Sequence, residues 1–107
     1  FFKIEGTSTA SAADANMFMY HIGGFGGYSS ATINNIKTVT INLEPGGTPK
    51  VHNGKETNIH LMVDIAKLFD SKSHISIAEH AAVMFDAYST IIADNYAAMF
   101  RHDHTEN

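Results

Sequence analysis

The sequence contains no cysteine and no tryptophan among its 107 residues, and charged residues make up only 17% of it. Without cysteine there is neither a disulfide framework nor a thiolate metal site, so any sulfur ligand must be a methionine thioether. Lysine and arginine number 7 against 11 aspartate and glutamate, a formal charge of -4. This balance excludes the basic surface that nucleic-acid binding requires. No apolar run approaches the roughly 20 residues of a membrane-spanning helix, so we expect no transmembrane segment.

The length corresponds to one domain or to part of one, because domains most often contain about 100–150 residues. Hydrophobic residues make up 44% of the chain, which is sufficient for a buried core and unlike a disordered protein. The chain begins with Phe1, and no signal-peptide pattern precedes it. We therefore expect either a processed end or the start of a fragment of a longer protein.

A two-residue period predicts β-strands, and residues 16–22 show it clearly. Met17, Met19 and His21 alternate there with aromatic and aliphatic residues. Because successive side chains of a strand point to opposite faces, this pattern predicts a half-buried strand with its aromatic face inward.

The same period recurs in residues 35–43 and 58–65, which are predicted to be one-sided strands. In the second of these, His60 and Met62 fall on one face and aliphatic residues on the other. The residues expected to be buried are Ile59, Leu61, Val63 and Ile65.

Helical signals come later in the chain. Ser76 and Glu79 have the spacing of a capping box, which predicts a helical segment after them. Residues 90–100 carry apolar side chains at helical spacing and contain neither proline nor glycine. The sequence therefore predicts a mainly β fold with short C-terminal helical segments.

Seven histidines are many for a chain of this length, and imidazole is a common ligand of copper, zinc and nickel. The His102-Asp103-His104 tail would point both imidazoles to the same side if it is extended. A solvated terminus is the alternative explanation of this pair. The candidate metal ligands are His21, His60, His102 and His104, with His80 as an additional candidate.

Methionines accompany two of these histidines. Met17 and Met19 share a predicted strand face with His21, and Met62 shares one with His60. Thioether together with imidazole favours Cu(I) over zinc. Methionine is also a flexible filler of protein cores, which is the alternative explanation for each of these residues.

Motifs of enzymes are missing from the sequence. There is no Gly-x-Ser-x-Gly nucleophile elbow, no phosphate-binding loop and no His-Glu-x-x-His. A Ser-His-Asp site assembled by the fold is possible in principle, but no residue is marked as its nucleophile. We therefore expect a protein that is not an enzyme.

Several stretches resemble the methanobactin-associated MbnP family of extracytoplasmic copper-binding β-sandwich proteins. They are FFKIEG at residues 1–6, FMYHIGG at 18–24 and IHLMVDIAKLF at 59–69. The closing IADNYAAMF at 92–100 and HDH at 102–104 resemble the end of a variant with a long C-terminal extension. The similarity covers nearly the whole chain but corresponds to the C-terminal half of the family.

The resemblance implies an antiparallel β-sandwich in which residues 1–107 form the C-terminal part of one domain, with the N-terminal part missing. It also implies that the metal is copper. His21 is the metal ligand that the matching motif supports first. The implied location is the periplasm or cell surface, as an outer-membrane or other cell-envelope lipoprotein. The implied partner is a dihaem peroxidase-like protein that oxidises a tryptophan. Since this sequence has no tryptophan, that residue would lie upstream, or this member lacks that chemistry.

Two functions follow as hypotheses. The first is an extracytoplasmic copper-binding protein with a His/Met site and no enzymatic activity. The second is an accessory or structural lipoprotein of a cell-envelope complex, which binds no metal. Imidazoles more than about 6 Å apart would favour the second, because ligands of one metal ion each lie about 2 Å from it.

Overall fold

The computed structural model describes residues 1–25 and 33–107. Within these residues the chain forms five strands, two short α-helices and two 3₁₀ turns. The strands are β1 (Phe2–Thr7), β2 (Met17–Ile22), β3 (Asn58–Val63), β4 (Ala82–Val83) and β5 (Phe100–Glu106), and the helices are α1 (Ala66–Phe69) and α2 (Tyr88–Tyr96). The 3₁₀ turns are Asp14–Asn16 and Glu44–Gly46. The prediction of a mainly β fold with short helices toward the C-terminus is confirmed.

The strands form two sheets. The first has the order β1-β2-β4, in which β1 and β2 are antiparallel and the two residues of β4 run parallel to β2. The second is a ribbon of two antiparallel strands, β3 and β5. This arrangement is consistent with a small β-sandwich-like fold built mainly from antiparallel pairs.

The core lies between the first sheet and the helices. Tyr20 and Ile22 of β2 are 0% and 1% exposed, as the aromatic-inward prediction for this strand requires. The other buried hydrophobic residues of this core are Leu68, Ile75, Val83, Ile92, Ala93 and Met99. The hydroxyl of Tyr20 donates a hydrogen bond to the backbone carbonyl of His80 at 2.8 Å. Burial of the phenol raises the pKa of Tyr20 to about 12.

Helix α2 is fixed to its surroundings by buried amides. The Asn95 side chain, which is 0% exposed, donates to the carbonyls of Leu68 and Ser73 at 2.9 and 2.7 Å. Its oxygen accepts the Ser73 amide hydrogen at 3.0 Å. The Asn35 side chain donates to Ser89 Oγ at 2.9 Å on the same helix. These bonds satisfy polar groups that burial would otherwise leave without partners.

The β3–β5 ribbon contributes no residue to the buried core of the described residues. All six residues of β3 are exposed, so the expectation of a buried aliphatic face on this strand is wrong. Ile59, Leu61 and Val63 are 46%, 49% and 44% exposed, and Ile65 is 46% exposed. The radius of gyration is 17.3 Å, against about 13 Å for a compact domain of this length. Within residues 1–25 and 33–107 no other element covers the faces of the ribbon completely, so the ribbon lies at the surface.

Two other predicted elements do not form. Residues 35–43 make no strand ladder, because no neighbouring strand pairs with them, although Asn35 itself is buried. The amide of Glu79 donates to Ser76 Oγ at 3.3 Å, as a capping box would require. The chain nevertheless makes only a turn there and then enters β4. None of the described helices has the length and apolar composition needed to cross a bilayer.

Candidate metal centre

A bulge in β5 determines which side chains meet on the ribbon. His60 is paired with His104 and Leu61 with His102, so Asp103 is an extra residue with no partner of its own on β3. Paired residues of adjacent strands share a face, whereas consecutive residues lie on opposite faces. The bulge therefore places His104 on the face of His60 and His102 on the face of Leu61.

His60 and His104 lie side by side on this face, and Glu106 lies next to both. The two imidazoles are stacked with centroids 4.2 Å apart and planes within 8°. The carboxylate oxygens of Glu106 are 3.4 Å from His60 Nε2 and 3.3 Å from His104 Nε2. One ligand atom from each of the three residues can be chosen so that all lie within 4.8 Å of one another. Among the described residues this is the one group in which three or more histidine or acidic side chains lie close enough together to hold an ion.

Charge and hydrogen bonding orient the cluster. Asp103 Oδ2 lies 2.8 Å from His104 Nδ1. This hydrogen bond, followed by that of Glu106, raises the pKa of His104. The hydrogen bond of His104, followed by that of His60, lowers the pKa of Glu106. Asp103 thus holds one ring nitrogen of His104 and leaves Nε2 toward Glu106, as carboxylates do behind metal-bound histidines.

The donor set of His60, His104 and Glu106 fits a divalent ion. Two imidazoles and one carboxylate suit copper or zinc. Ligands about 2 Å from one ion lie no more than about 4 Å apart, so only small side-chain rotations are needed. The side chains are 45%, 46% and 61% exposed. A bound ion would therefore keep coordination positions open to solvent.

His102 lies on the opposite face of the ribbon and does not join this cluster. Its Nε2 is 2.8 Å from Thr105 Oγ1, and its buried Nδ1 has no hydrogen-bond partner among the residues that the structure describes. The ring packs against Gly46, where an added Cβ would lie 2.5 Å from two of its atoms. The tail is extended, as part of β5, but His102 and His104 do not point to the same side, because the extra residue reverses the alternation between them.

His21 lies in the first sheet and has a different partner. Its Nε2 is 2.5 Å from Glu5 Oε1 on β1, and this hydrogen bond is the main cause of the lowered pKa of Glu5. The pair offers two potential ligands, and no third histidine or acidic residue completes a group around it in the described chain. The ring of His80 is stacked on Tyr88 with centroids 3.5 Å apart, also outside the cluster.

Sequence analysis identified two members of the cluster, His60 and His104, and missed Glu106. The signal for Glu106 was present, because residues two apart on a strand share a face. The pairing of β3 with β5, which brings His60 to this tail, could not be read from local periodicity. Whether the four predicted histidines bind metal stays a prediction, but the structure does not gather them at one point.

Comparison with known protein families supplies one match. The MbnP family matches residues 1–85, a range that includes His21 and His60 but ends before His102, His104 and Glu106. No curated protein and no solved structure matches the chain significantly. Since the match covers most of the sequence, the chain belongs to the MbnP family.

Proposed function

We propose that this protein binds copper outside the cytoplasm and handles the metal without catalysing a reaction. The observation that carries this proposal is the convergence of His60, His104 and Glu106 across β3 and β5. The ion would be held by the two imidazoles and the carboxylate, with Asp103 orienting His104 through its Nδ1.

Two considerations favour copper among the metals that such ligands bind. Imidazole and carboxylate donors accept both Cu(II) and zinc, and the Irving–Williams order gives copper the higher affinity at a given site. Membership of a methanobactin-associated family supports copper as the physiological metal. The donor set, which has hard oxygen and borderline nitrogen atoms, suits Cu(II) better than Cu(I).

Location and partner belong to the proposal as well. We propose that the protein lies in the periplasm or at the cell surface, as a lipoprotein, and that its partner is a dihaem peroxidase-like protein. Since the 107 residues include no tryptophan, oxidation of a tryptophan cannot take place within this sequence. Any such reaction would require a residue supplied from outside it.

Titration with Cu(II), followed by calorimetry and electron paramagnetic resonance, tests the site. We expect one equivalent to bind with hyperfine coupling from two imidazole nitrogens. Loss of a residue that supports a metal ligand typically weakens metal binding about 10-fold to 100-fold. Because His104→Ala removes a ligand itself, it should weaken Cu(II) binding at least as much. His74→Ala is the matched control, because its side chain is 75% exposed and lies outside the cluster, and it should bind as the wild type does.

Further variants distinguish a copper site on the ribbon from a copper site at His21, the ligand that the family resemblance implies. Loss of copper in His21→Ala, with normal binding in His104→Ala, would move the site to the Glu5–His21 pair and refute the assignment to the ribbon. His102→Ala should leave the affinity unchanged, because His102 lies on the opposite face. A wild-type protein that binds no copper would refute the function itself.

The rival function is an interaction role in a cell-envelope complex without any metal. The observation in its favour is the exposed aliphatic face of Ile59, Leu61 and Val63, since contiguous apolar surface often marks a contact site. The close approach of His60 and His104 favours copper instead. Absence of copper binding together with retention of a partner by the wild type would favour the rival.

A further inference from the structure

The edges of the first sheet are protected against pairing with a further strand. In the part of the chain that the structure describes, these edges are β1 and β4. β1 carries the charged side chains of Lys3 and Glu5, and β4 has only two residues. Charged side chains and short edge strands are devices that keep a sheet from accepting another strand. We therefore expect no strand to add to the first sheet.

The β5 side of the ribbon is also protected. The Cβ that glycine lacks at position 46 would lie only 2.9 Å from the backbone oxygen of Asp103. At the end of the tail, Asn107 Oδ1 accepts a hydrogen bond from the amide of Lys50 at 2.7 Å. Residues 46–50 thus pack beside β5, and β5 itself carries charges of both signs. Both features oppose the approach of another strand.

β3 has none of these devices. Its six residues, NIHLMV, include no lysine, arginine, aspartate, glutamate or proline, and all six are exposed. Within residues 1–25 and 33–107 its one strand partner is β5, and no backbone hydrogen bond outside that ladder involves residues 58–63. An exposed, apolar and uncharged edge of this length is the kind to which a further strand adds.

One hydrogen bond shows which backbone groups of β3 point outward. The amide of Asp64 donates to the carbonyl of Met99 at 2.9 Å, which continues the ladder with β5 by one residue. Along an antiparallel strand, residues alternate between those bonded to the partner and those directed away from it. The even-numbered residues of β3 therefore face β5. The outward amides and carbonyls belong to Ile59, Leu61 and Val63, whose side chains form the exposed aliphatic face.

A second copy of β3 complements this edge. If two copies meet antiparallel with a two-fold axis at Leu61, then Leu61 lies opposite Leu61 of the second copy, and Ile59 lies opposite Val63. All outward amides and carbonyls of these three residues then have partners, and the aliphatic side chains of both copies share one face. A register one residue away would place aliphatic side chains opposite polar ones. Like charges do not meet, because Asp64 lies opposite Asn58.

We propose that β3 pairs with β3 of a second copy of this chain, which gives a symmetric dimer with a four-stranded antiparallel sheet. Two strands alone are marginally stable, whereas three or more strands with an apolar face can be stable. Since the contact consumes the unprotected edge of each copy, assembly should stop at the dimer. The contact uses one short strand from each copy, so the dimer should dissociate on dilution. This inference goes beyond the proposed function and does not depend on it.

Sedimentation velocity of the metal-free protein, from about 1 µM to about 1 mM, measures the association. We expect monomer at the low end, dimer at the high end and no larger species. Leu61→Lys places like charges opposite each other at the axis and should weaken dimerisation at least about 10-fold. Val51→Lys is the matched control, because Val51 is 96% exposed and lies outside the strands, and it should dimerise normally. A wild type that stays monomeric, or equal dimerisation by both variants, would refute the proposal.

Cysteine cross-linking tests the register. Because the sequence has no cysteine, a single introduced thiol can form a disulfide only with its own copy. In the proposed register the two Cα atoms at position 61 are about 5.5 Å apart, within the span of about 4.4–6.8 Å that a disulfide bridges. Leu61→Cys should therefore give a covalent dimer with oxidised glutathione. Ile59→Cys should not, since its two copies lie about 14 Å apart along the strands. A covalent dimer formed more readily by Ile59→Cys would overturn the pairing.

Hydrogen exchange provides a readout that needs no substitution. In the monomer the amide hydrogens of Ile59, Leu61 and Val63 point to solvent and should exchange quickly. In the dimer they donate to the second copy and should be protected, and dilution should remove this protection. Fast exchange at all three positions in a sample that sediments as a dimer would place the contact elsewhere and refute the proposal.

The dimer and the copper site can be told apart in the same samples. His104 lies on β5, away from the β3 edge, so His104→Ala should lose Cu(II) binding and dimerise as the wild type does. Leu61→Lys should dissociate the dimer and still bind Cu(II). If the wild type dimerised without binding copper, the proposed function would fall and the dimer would stand. If it bound copper but stayed monomeric, the dimer would be refuted and the function would stand.

Discussion

Asn95→Ala, which removes the buried side-chain amide, should lower the free energy of unfolding more than Tyr20→Phe or Lys37→Met. The side chain makes three hydrogen bonds, two to the carbonyls of Leu68 and Ser73 and one from the Ser73 amide. Each hydrogen bond contributes about 1 kcal/mol net, so Asn95→Ala should lower the free energy of unfolding by about 3 kcal/mol. That is a large part of the roughly 5–15 kcal/mol typical of a domain.

Urea denaturation monitored by far-ultraviolet circular dichroism measures this difference. Because the chain has four tyrosines and no tryptophan, tyrosine fluorescence provides the second probe. At about 4 °C per kcal/mol for a domain near this size, the melting temperature should fall by about 12 °C. Asn53→Ala, at an exposed turn position, is the control and should change stability by less than about 0.5 kcal/mol.

A second variant tests the reasoning rather than the number. Asn95→Asp keeps the shape of the side chain but places a carboxylate oxygen against the carbonyls of Leu68 and Ser73. At neutral pH it should be at least as destabilising as alanine, since it adds repulsion and a buried charge. The stability of this variant should partly recover at low pH, because the protonated carboxyl group at position 95 can donate one hydrogen bond. An Asn95→Asp protein as stable as the wild type at pH 7 would refute the assigned hydrogen bonds.

Three further predictions concern other parts of the fold. Tyr20→Phe should cost about 1 kcal/mol and remove the contribution of Tyr20 to the loss of stability expected as pH rises from about 10 to about 12, measured by urea denaturation. Gly46→Ala should displace His102, which an added Cβ would approach to 2.5 Å, and lower stability by about 1–3 kcal/mol; an unchanged thermal melt would contradict this contact. Lys37 lies 2.6 Å from Asp94 and its hydrogen bond is the main cause of the lowered pKa of that carboxyl. Lys37→Met should therefore lower the free energy of unfolding by about 1 kcal/mol at neutral pH. This difference should persist above the ordinary carboxyl pKa of about 4 and disappear as pH falls through the lowered pKa of Asp94. A difference that does not change with pH would refute the ion pair.

The prediction for β2 was correct because other parts of the fold cover the apolar face that its pattern marks. Phe18, Tyr20 and Ile22 alternate with less apolar residues, and this face points inward as expected, with Tyr20 and Ile22 in the buried core and Phe18 packed against it. Residues 58–63 show an equally clear period, yet their aliphatic face is exposed. A period reveals which side chains share a face, but a covering element elsewhere in the fold decides whether that face is buried.

The candidate metal centre was predictable only in part for the same kind of reason. His60 and His104 could be proposed from residue type and local spacing. Their pairing depends on a long-range ladder, and the exclusion of His102 depends on one extra residue in β5. Assigning side chains to faces by local spacing assumes a regular strand. The bulge at Asp103 breaks that regularity, so His102 and His104 lie on opposite faces although they are two residues apart.

The exposed ribbon has a consequence for motion. Two strands without a covered apolar face are only marginally stable together, so β3 and β5 should separate locally far more easily than the core unfolds. Their amide hydrogens would then exchange with solvent early, while those of β2 and α2 remain protected. An ion bound to His60, His104 and Glu106 would tie the two strands together and oppose this opening. Metal binding would therefore change the local rigidity of the β3–β5 ribbon. A partner protein that binds the ribbon would respond to this change without contacting the metal.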